Sequence, residues 1–234
     1  MKQHIYLLRH GIVSGNAALY GDTDVPVLAE VNDAICTALK DTQITFDNIY
    51  SSPLQRCQKL ADLISRDESR PQLNNVFIVN DLKEMNFGVF DGIPFDDIYK
   101  DTTKWQLLEH FWQSPSKNTL PQAESLTKFY QRIATQWRRI FEAIKQQKHS
   151  NSLDTETHTL IVCHGGVIRM ILACLLKDNI NESGWYQSYK VPYGSLTHLT
   201  ISNVNVEVNK LARPIKEFIS VPVKEQVLNG DEDE

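Results

Sequence analysis

Short apolar runs along the chain each stop abruptly at polar or glycine-rich residues. Ile5-Tyr6-Leu7-Leu8 ends at Arg9-His10-Gly11, and Asn48-Ile49-Tyr50 ends at Ser51-Ser52-Pro53. Thr159-Leu160-Ile161-Val162-Cys163 ends at His164-Gly165-Gly166, and Val76-Phe77-Ile78-Val79 is a further run of this kind. Runs this short predict strands buried in a sheet, with their carboxyl ends emptying into loops. Between them the period changes. Leu54, Cys57, Ala61 and Ile64 share one helical face, with Ser52 placed as N-cap and Pro53 at the first helical position. From Ser125 to Ile144, Leu126, Phe129, Tyr130, Ile133, Trp137, Ile140, Phe141 and Ile144 keep one apolar stripe, which predicts a long core-facing helix. Ile168, Ile171, Leu172 and Leu175 mark another helix after Gly166. Residues 195–202 and 204–210 alternate around Ser202-Asn203, as a hairpin does.

Strands alternating with helices predict an α/β fold: a three-layer sandwich with a mostly parallel central sheet, helices on both faces and a late antiparallel addition. Two stretches break the pattern. Residues 11–27 form a long irregular segment containing Gly15, Asn16, Gly21, Asp22, Asp24 and Pro26, and long loops in compact domains are usually functional. Residues 93–122 break into short aromatic-rich pieces, expected to be a helical insertion capping the active site. The expected organisation is one domain over 1–212 and a C-terminal extension over 213–234 that ends in the acidic tail Asp231-Glu232-Asp233-Glu234.

Composition narrows the function classes. With 41% hydrophobic residues in a chain of 234, a sizeable core forms without disulfides. The net charge of −5 comes with no basic stripe, which argues against a nucleic-acid partner. Cys36, Cys57, Cys163 and Cys174 are scattered with no metal-binding spacing, as in free thiols of a reducing compartment. No apolar run reaches a membrane span and none precedes Arg9 as a signal peptide would, so a cytoplasmic protein is expected. Nothing in the sequence specifies an oligomeric state.

The chemistry-bearing residues cluster at strand ends. His10 and His164 each follow a strand and precede a glycine, and in an open α/β sheet ligands bind at the carboxyl ends of strands. Gly165-Gly166 opens a helix whose N–H groups and dipole face an anion. Arg9 and Arg56 are placed to fork a phosphate. A metal reading of the same histidines lacks a suitably spaced carboxylate or cysteine, so no metal and no cofactor are expected.

Arg9-His10-Gly11 with Asn16, Ser51-Ser52-Pro53-Leu54-Gln55-Arg56, Leu82-Lys83-Glu84-Met85-Asn86-Phe87-Gly88 with Asp91-Gly92, and His164-Gly165-Gly166 occur in this order. Together they resemble the motifs of the histidine phosphatase superfamily, which includes cofactor-dependent phosphoglycerate mutases. The resemblance implies a metal-independent enzyme in which His10 attacks the phosphoryl group and becomes phosphohistidine. Arg9, Arg56 and His164, the last protonated, would hold the transferring oxygens, with Asn16 and Gly165 assisting. Glu84 would protonate the leaving alkoxide and then take a proton from the hydrolytic water. The sequence departs from the family at Ile12 and Val13, where an acidic residue and a hydroxyl are common; Ser14 is the available replacement. It departs again at Cys57-Gln58-Lys59, at Asp91 and at Ala123.

Within the superfamily, residues 20–26, 84–88, 121–125 and 193–196 are similar to those of α-ribazole phosphatases, which act in cobalamin biosynthesis. That likeness implies α-ribazole 5′-phosphate, a small phosphate ester, as substrate, with Tyr20, Gly21, Trp105 and Trp112 around it. No arginine lies between Arg70 and Arg132, where a mutase would need a second anion site, whereas Phe90, Phe95, Tyr99, Trp105, Phe111 and Trp112 suit a flat base. The alternatives are a broad-specificity small-molecule or sugar phosphatase, a mutase-like enzyme, a protein phosphohistidine phosphatase, or a non-catalytic phosphate-binding module.

Overall fold

The structure is a computed structural model and describes residues 2–66, 76–146, 156–182, 184–201 and 206–218. Its centre is a six-stranded sheet of β1 (Gln3–Arg9), β2 (Asn48–Ser51), β3 (Val76–Ile78), β4 (Thr157–Cys163), β5 (Ser195–Ile201) and β6 (Val206–Pro214). The strand order is β3-β2-β4-β1-β5-β6. The first four are mutually parallel and the last two join antiparallel, as the late alternating segments predicted. The turn expected at Ser202-Asn203 lies outside the described residues.

Both sheet faces are buried because successive side chains of the inner strands point to opposite sides. Ile5 and Leu7 face the larger core with Phe129, Ile133, Trp137 and Ile140 of α5 (Leu126–Gln146) and with Val167, Ile168 and Ile171 of α6 (Gly165–Leu176). Tyr6 and Leu8 face a second core with Ile35 and Leu39 of α1 (Ala29–Asp41) and with Cys57, Leu60 and Ile64 of α2 (Gln55–Ser65). The three-layer α/β arrangement is therefore as expected, and α5 occupies the segment its stripe marked.

Two local assignments differ. α2 begins at Gln55, because Leu54 stays extended (φ −68°, ψ 135°). Ser52 is accordingly not its cap: the Gln55 N–H donates instead to Asp24 Oδ1 at 2.8 Å, a cap supplied from the long loop. The insertion forms α3 (Phe95–Tyr99) and α4 (Thr102–Gln113), and its Ile98, Leu108, Phe111 and Leu120 are buried in the larger core. It meets the 11–27 loop where Phe95 N–H donates to the Ala17 carbonyl. The boundary at 212 falls inside β6, and Ile215 and Phe218 are buried beyond it, so the packed body continues to 218. The acidic tail lies outside the described residues.

Candidate active site

The register of β1 against β4 sets the site. Arg9 pairs with Cys163, and the His10 N–H donates to the Cys163 carbonyl at 3.1 Å. The residues after each strand, His10 and His164, thus emerge side by side with ring centroids 5.1 Å apart. β1 leads through α1 toward β2 on one side, and β4 leads through α6 toward β5 on the other. The histidines therefore sit at the switch point of the sheet, where its connections diverge.

Both imidazoles are buried and held neutral. Burial pushes His10 well below 6.5, and the positive charges of Arg56 and Arg9 add to that. Burial likewise depresses His164, reinforced by Arg56, His10 and Arg9. Nδ1 of His10 lies 2.7 Å from the Gly11 carbonyl, which only accepts, so Nδ1 carries the proton and Nε2 the lone pair. Arg56 Nε donates to His164 Nδ1 at 3.2 Å, so the proton of His164 sits on Nε2 and goes to Ser52 Oγ at 2.8 Å. The expected protonated His164 is thus corrected: its Nδ1 already accepts from a cation.

Arg56 is corrected as well. Its Nη1 donates to the Thr23 carbonyl at 3.0 Å, and its Nη2 to those of Tyr20 and Gly21 at 3.0 and 2.8 Å. With Nε on His164, one of the five guanidinium hydrogens is left, so Arg56 fastens the loop and does not present an open fork. Gly21 is held from its other side by Asp91, whose carboxylate accepts from the N–H groups of Gly21, Asp22, Thr23 and Phe87. A Cβ on Gly21 would stand 2.1 Å from the Met85 carbonyl, so only glycine fits there.

A cleft of about 150 Å³ opens over His10, walled by Arg9, Val13, Ala18, Leu19, Tyr20, Glu84, Phe87, Gly165, Gly166, Arg169, Tyr186 and Tyr193. Arg9 reaches it with its guanidinium 3.6 Å over the Tyr193 ring and Nη1 on the Val191 carbonyl. Glu84 Oε2 accepts the Gly166 N–H at 2.9 Å, at the start of α6, while Oε1 accepts the Met85 N–H at 2.9 Å. A Cβ on Gly166 would lie 2.2 Å from Glu84 Oε1, so the second glycine admits the carboxylate. The Glu84 backbone is fixed by Arg132, which donates to the carbonyls of Asp81, Lys83 and Glu84 and pairs bidentately with Glu124.

Of the other expected ligands, Tyr20 lines the cleft, whereas Asn16 is exposed and uses its carbonyl to accept the Tyr20 hydroxyl at 2.6 Å. Ser14 donates to the Pro26 carbonyl and does not replace the missing hydroxyl. Trp105 and Trp112 are corrected: they stack edge-on at 5.7 Å within the insertion, and neither lines the cleft. Arg169, Tyr186 and Tyr193 also wall the cleft, beyond the residues expected from the sequence. Arg169 is four residues after Gly165, one helical turn along α6, and that spacing was its signal. The one histidine–carboxylate group with metal-ligand spacing among the described residues, His4, Glu156 and His158, lies outside the cleft. One buried base with a free lone pair, a carboxylate, two arginines and a helix N-terminus thus face one small cleft, with His164 buried behind His10, which suits transfer of an anionic phosphoryl group.

Comparison with known proteins agrees with this chemistry. Residues 5–213 match the model of the histidine phosphatase superfamily, branch 1. A 2,3-bisphosphoglycerate-dependent phosphoglycerate mutase of Bartonella bacilliformis is 32% identical over 181 residues, 75% of this chain and 82% of that protein. A broad-specificity phosphatase of Saccharomyces cerevisiae is 22% identical over 220 residues, 92% of this chain and 82% of that protein. The α-ribazole phosphatase of Shigella flexneri superposes with a TM-score of 0.70 at 22% identity, over 90% of this chain and 96% of that one. The superfamily match runs from the first strand to the last, and the chain therefore belongs to branch 1 of the histidine phosphatase superfamily, as an enzyme of its phosphatase and mutase class.

Proposed function

We propose that the protein hydrolyses a small phosphate monoester in two displacements at His10. The observation that carries this reading is the Nδ1 bond to the Gly11 carbonyl, which leaves a lone pair on Nε2 of a neutral imidazole. In the first step Nε2 attacks phosphorus, the bond to the ester oxygen breaks, and the acid form of Glu84 gives that oxygen its proton. In the second, water attacks phosphorus, Glu84 takes a proton from it, and the P–N bond breaks to return neutral His10. Arg9, Arg169 and the N-terminus of α6 offset the charge on the equatorial oxygens. Arg56 acts by holding the loop and fixing the tautomer of His164.

For the substrate we propose α-ribazole 5′-phosphate. Tyr20, Phe87, Tyr186 and Tyr193 give the cleft aromatic walls. Tyr193 also borders a neighbouring apolar groove of about 560 Å³, beside Gly11, Ile12 and Val31, where a flat base attached to the sugar would find apolar cover. A second reading, a phosphoglycerate mutase, is favoured by the Bartonella relative and by Arg169, a cation available to a second anionic group. The test is kcat/KM for α-ribazole 5′-phosphate against p-nitrophenyl phosphate, alongside isomerisation of 3-phosphoglycerate. A preference of about a thousandfold, roughly 4 kcal/mol of transition-state binding, supports the ribazole substrate. A flat profile removes it, and isomerisation would favour the mutase.

A further inference from the structure

At the end of the sheet opposite the cleft, three histidines meet on the face covered by α1 and α2. His4 of β1 is in register with His158 of β4, and their rings stack 4.7 Å apart. His198 of β5 stacks on His4 from another side at 5.0 Å. Along β1, His4 is six residues before His10, roughly 20 Å at about 3.3 Å per residue, so this cluster is separate from the catalytic cleft.

The hydrogen bonding around it is incomplete. His4 Nδ1 lies 2.8 Å from His198 Nε2, and His158 Nδ1 lies 3.2 Å from the Tyr6 hydroxyl. His4 Nε2 is buried without a hydrogen-bond partner, and the Glu156 carboxylate stands 3.3 Å from it, outside hydrogen-bond geometry. The His4 side chain is 9% exposed and that of Glu156 is 54% exposed, so the unpartnered nitrogen points from the interior toward a carboxylate that solvent reaches. One donor atom each from His4, Glu156 and His158 fall within 4.8 Å of one another.

We propose that His4, Glu156 and His158 bind one divalent transition-metal ion of the zinc class, with His198 and Tyr6 orienting the two imidazoles. Two imidazoles and a carboxylate are a donor set such an ion accepts, with water in the fourth position on the Glu156 side. Bonds of about 2.0–2.2 Å would place the donors roughly 3.4 Å apart. The widest separation therefore closes by up to about 1.4 Å, through rotation of one stacked ring and an inward swing of the exposed Glu156. The surrounding bonds already suit ligation. With its proton on Nδ1, His4 donates to His198 and presents an Nε2 lone pair, while His158 Nδ1–H donates to Tyr6 and frees its other nitrogen. Such an ion ties the start of β1 to the start of β4 and stabilises the fold without touching the reaction.

The test uses the full-length protein freed of any histidine tag and stripped with a chelator. Zn²⁺ binding is followed by equilibrium dialysis and melting temperature, and Co²⁺ supplies the visible spectrum of a low-symmetry nitrogen–oxygen site. The expected result is one equivalent of Zn²⁺ and a melting temperature several degrees higher at saturation. Phosphatase turnover should not change in proportion to occupancy. Glu156→Gln, at an exposed side chain, keeps the fold and weakens binding at least tenfold; His158→Gln weakens it about a hundredfold. Absence of saturable binding below about 100 µM overturns the site, as does binding that both variants retain.

Discussion

Arg56 Nε donates to Nδ1 of His164 at 3.2 Å, and this bond joins the 11–27 loop to the carboxyl end of β4. The same guanidinium carries the carbonyls of Tyr20, Gly21 and Thr23, so the loop that walls the cleft is tied to α2 through one buried side chain.

Arg56→Lys should therefore act first on stability. An ammonium cannot replace a planar fork spread over four acceptors, and each buried acceptor left unpaired costs about 1–3 kcal/mol. We expect a loss of about 3 kcal/mol or more by urea denaturation, together with faster proteolysis within residues 11–27. A loss below about 1 kcal/mol would show that the loop is held by other contacts.

Glu84→Gln should slow alkyl phosphates by about 10²–10⁴-fold and leave p-nitrophenyl phosphate far less affected, because nitrophenolate leaves without a proton. Gly166→Ala should copy part of this pattern while keeping the carboxylate, since its methyl would stand 2.2 Å from Glu84 Oε1. Equal losses on both ester classes would remove Glu84 as the acid.

The state of His10 can be observed directly. Burial, and after it Arg56 and Arg9, holds its pKa well below 6.5, so the ring stays neutral as pH falls through that value. In an imidazole-labelled NMR titration, His10 should keep the shifts of its Nδ1–H tautomer at pH 6. A midpoint near 6.5 would mean that the ring is solvated and the cleft looser than described.

The same physics sets the response of the fold to acid. His198 is pushed down to about 4, by burial first and then by His4 and His158, and His10 and His164 are lowered too. The unfolded chain, with histidines near 6.5, binds more protons than the folded one between these values, so stability rises with pH there. Urea midpoints should fall steadily from pH 6.5 to 4 and stay level from 6.5 to 7.5. A flat profile below 6.5 would contradict the buried neutral histidines.

The parts of the molecule legible in the sequence are those set by local pattern. Buried parallel strands show as unbroken apolar runs, so β1 and β4, with His10 and His164 at their ends, are visible in the sequence, as is α5 with its single stripe. α1 is not, because Asn32, one of its buried residues, is polar and interrupts the apolar face. Residues whose role depends on distant partners carry no local sign of it. Ser52 has a capping side chain, but it meets His164, and the cap on α2 comes from Asp24, 31 positions away. Trp105 and Trp112 have the surface to hold a base, yet three-dimensional packing turns them on each other. Arg132 gives no local sign that its guanidinium supports Glu84.

In the proposed two-displacement reaction, phosphate rests on His10 between the two steps. Its most direct measurement is an acid quench within the first turnover, followed by peptide mapping under alkaline conditions that preserve phosphohistidine. The expected result is phosphate on Nε2 of His10, its disappearance on chase with unlabelled substrate, and neither label nor turnover in His10→Ala. Turnover that survives in His10→Ala, or label that maps to another residue, would contradict it.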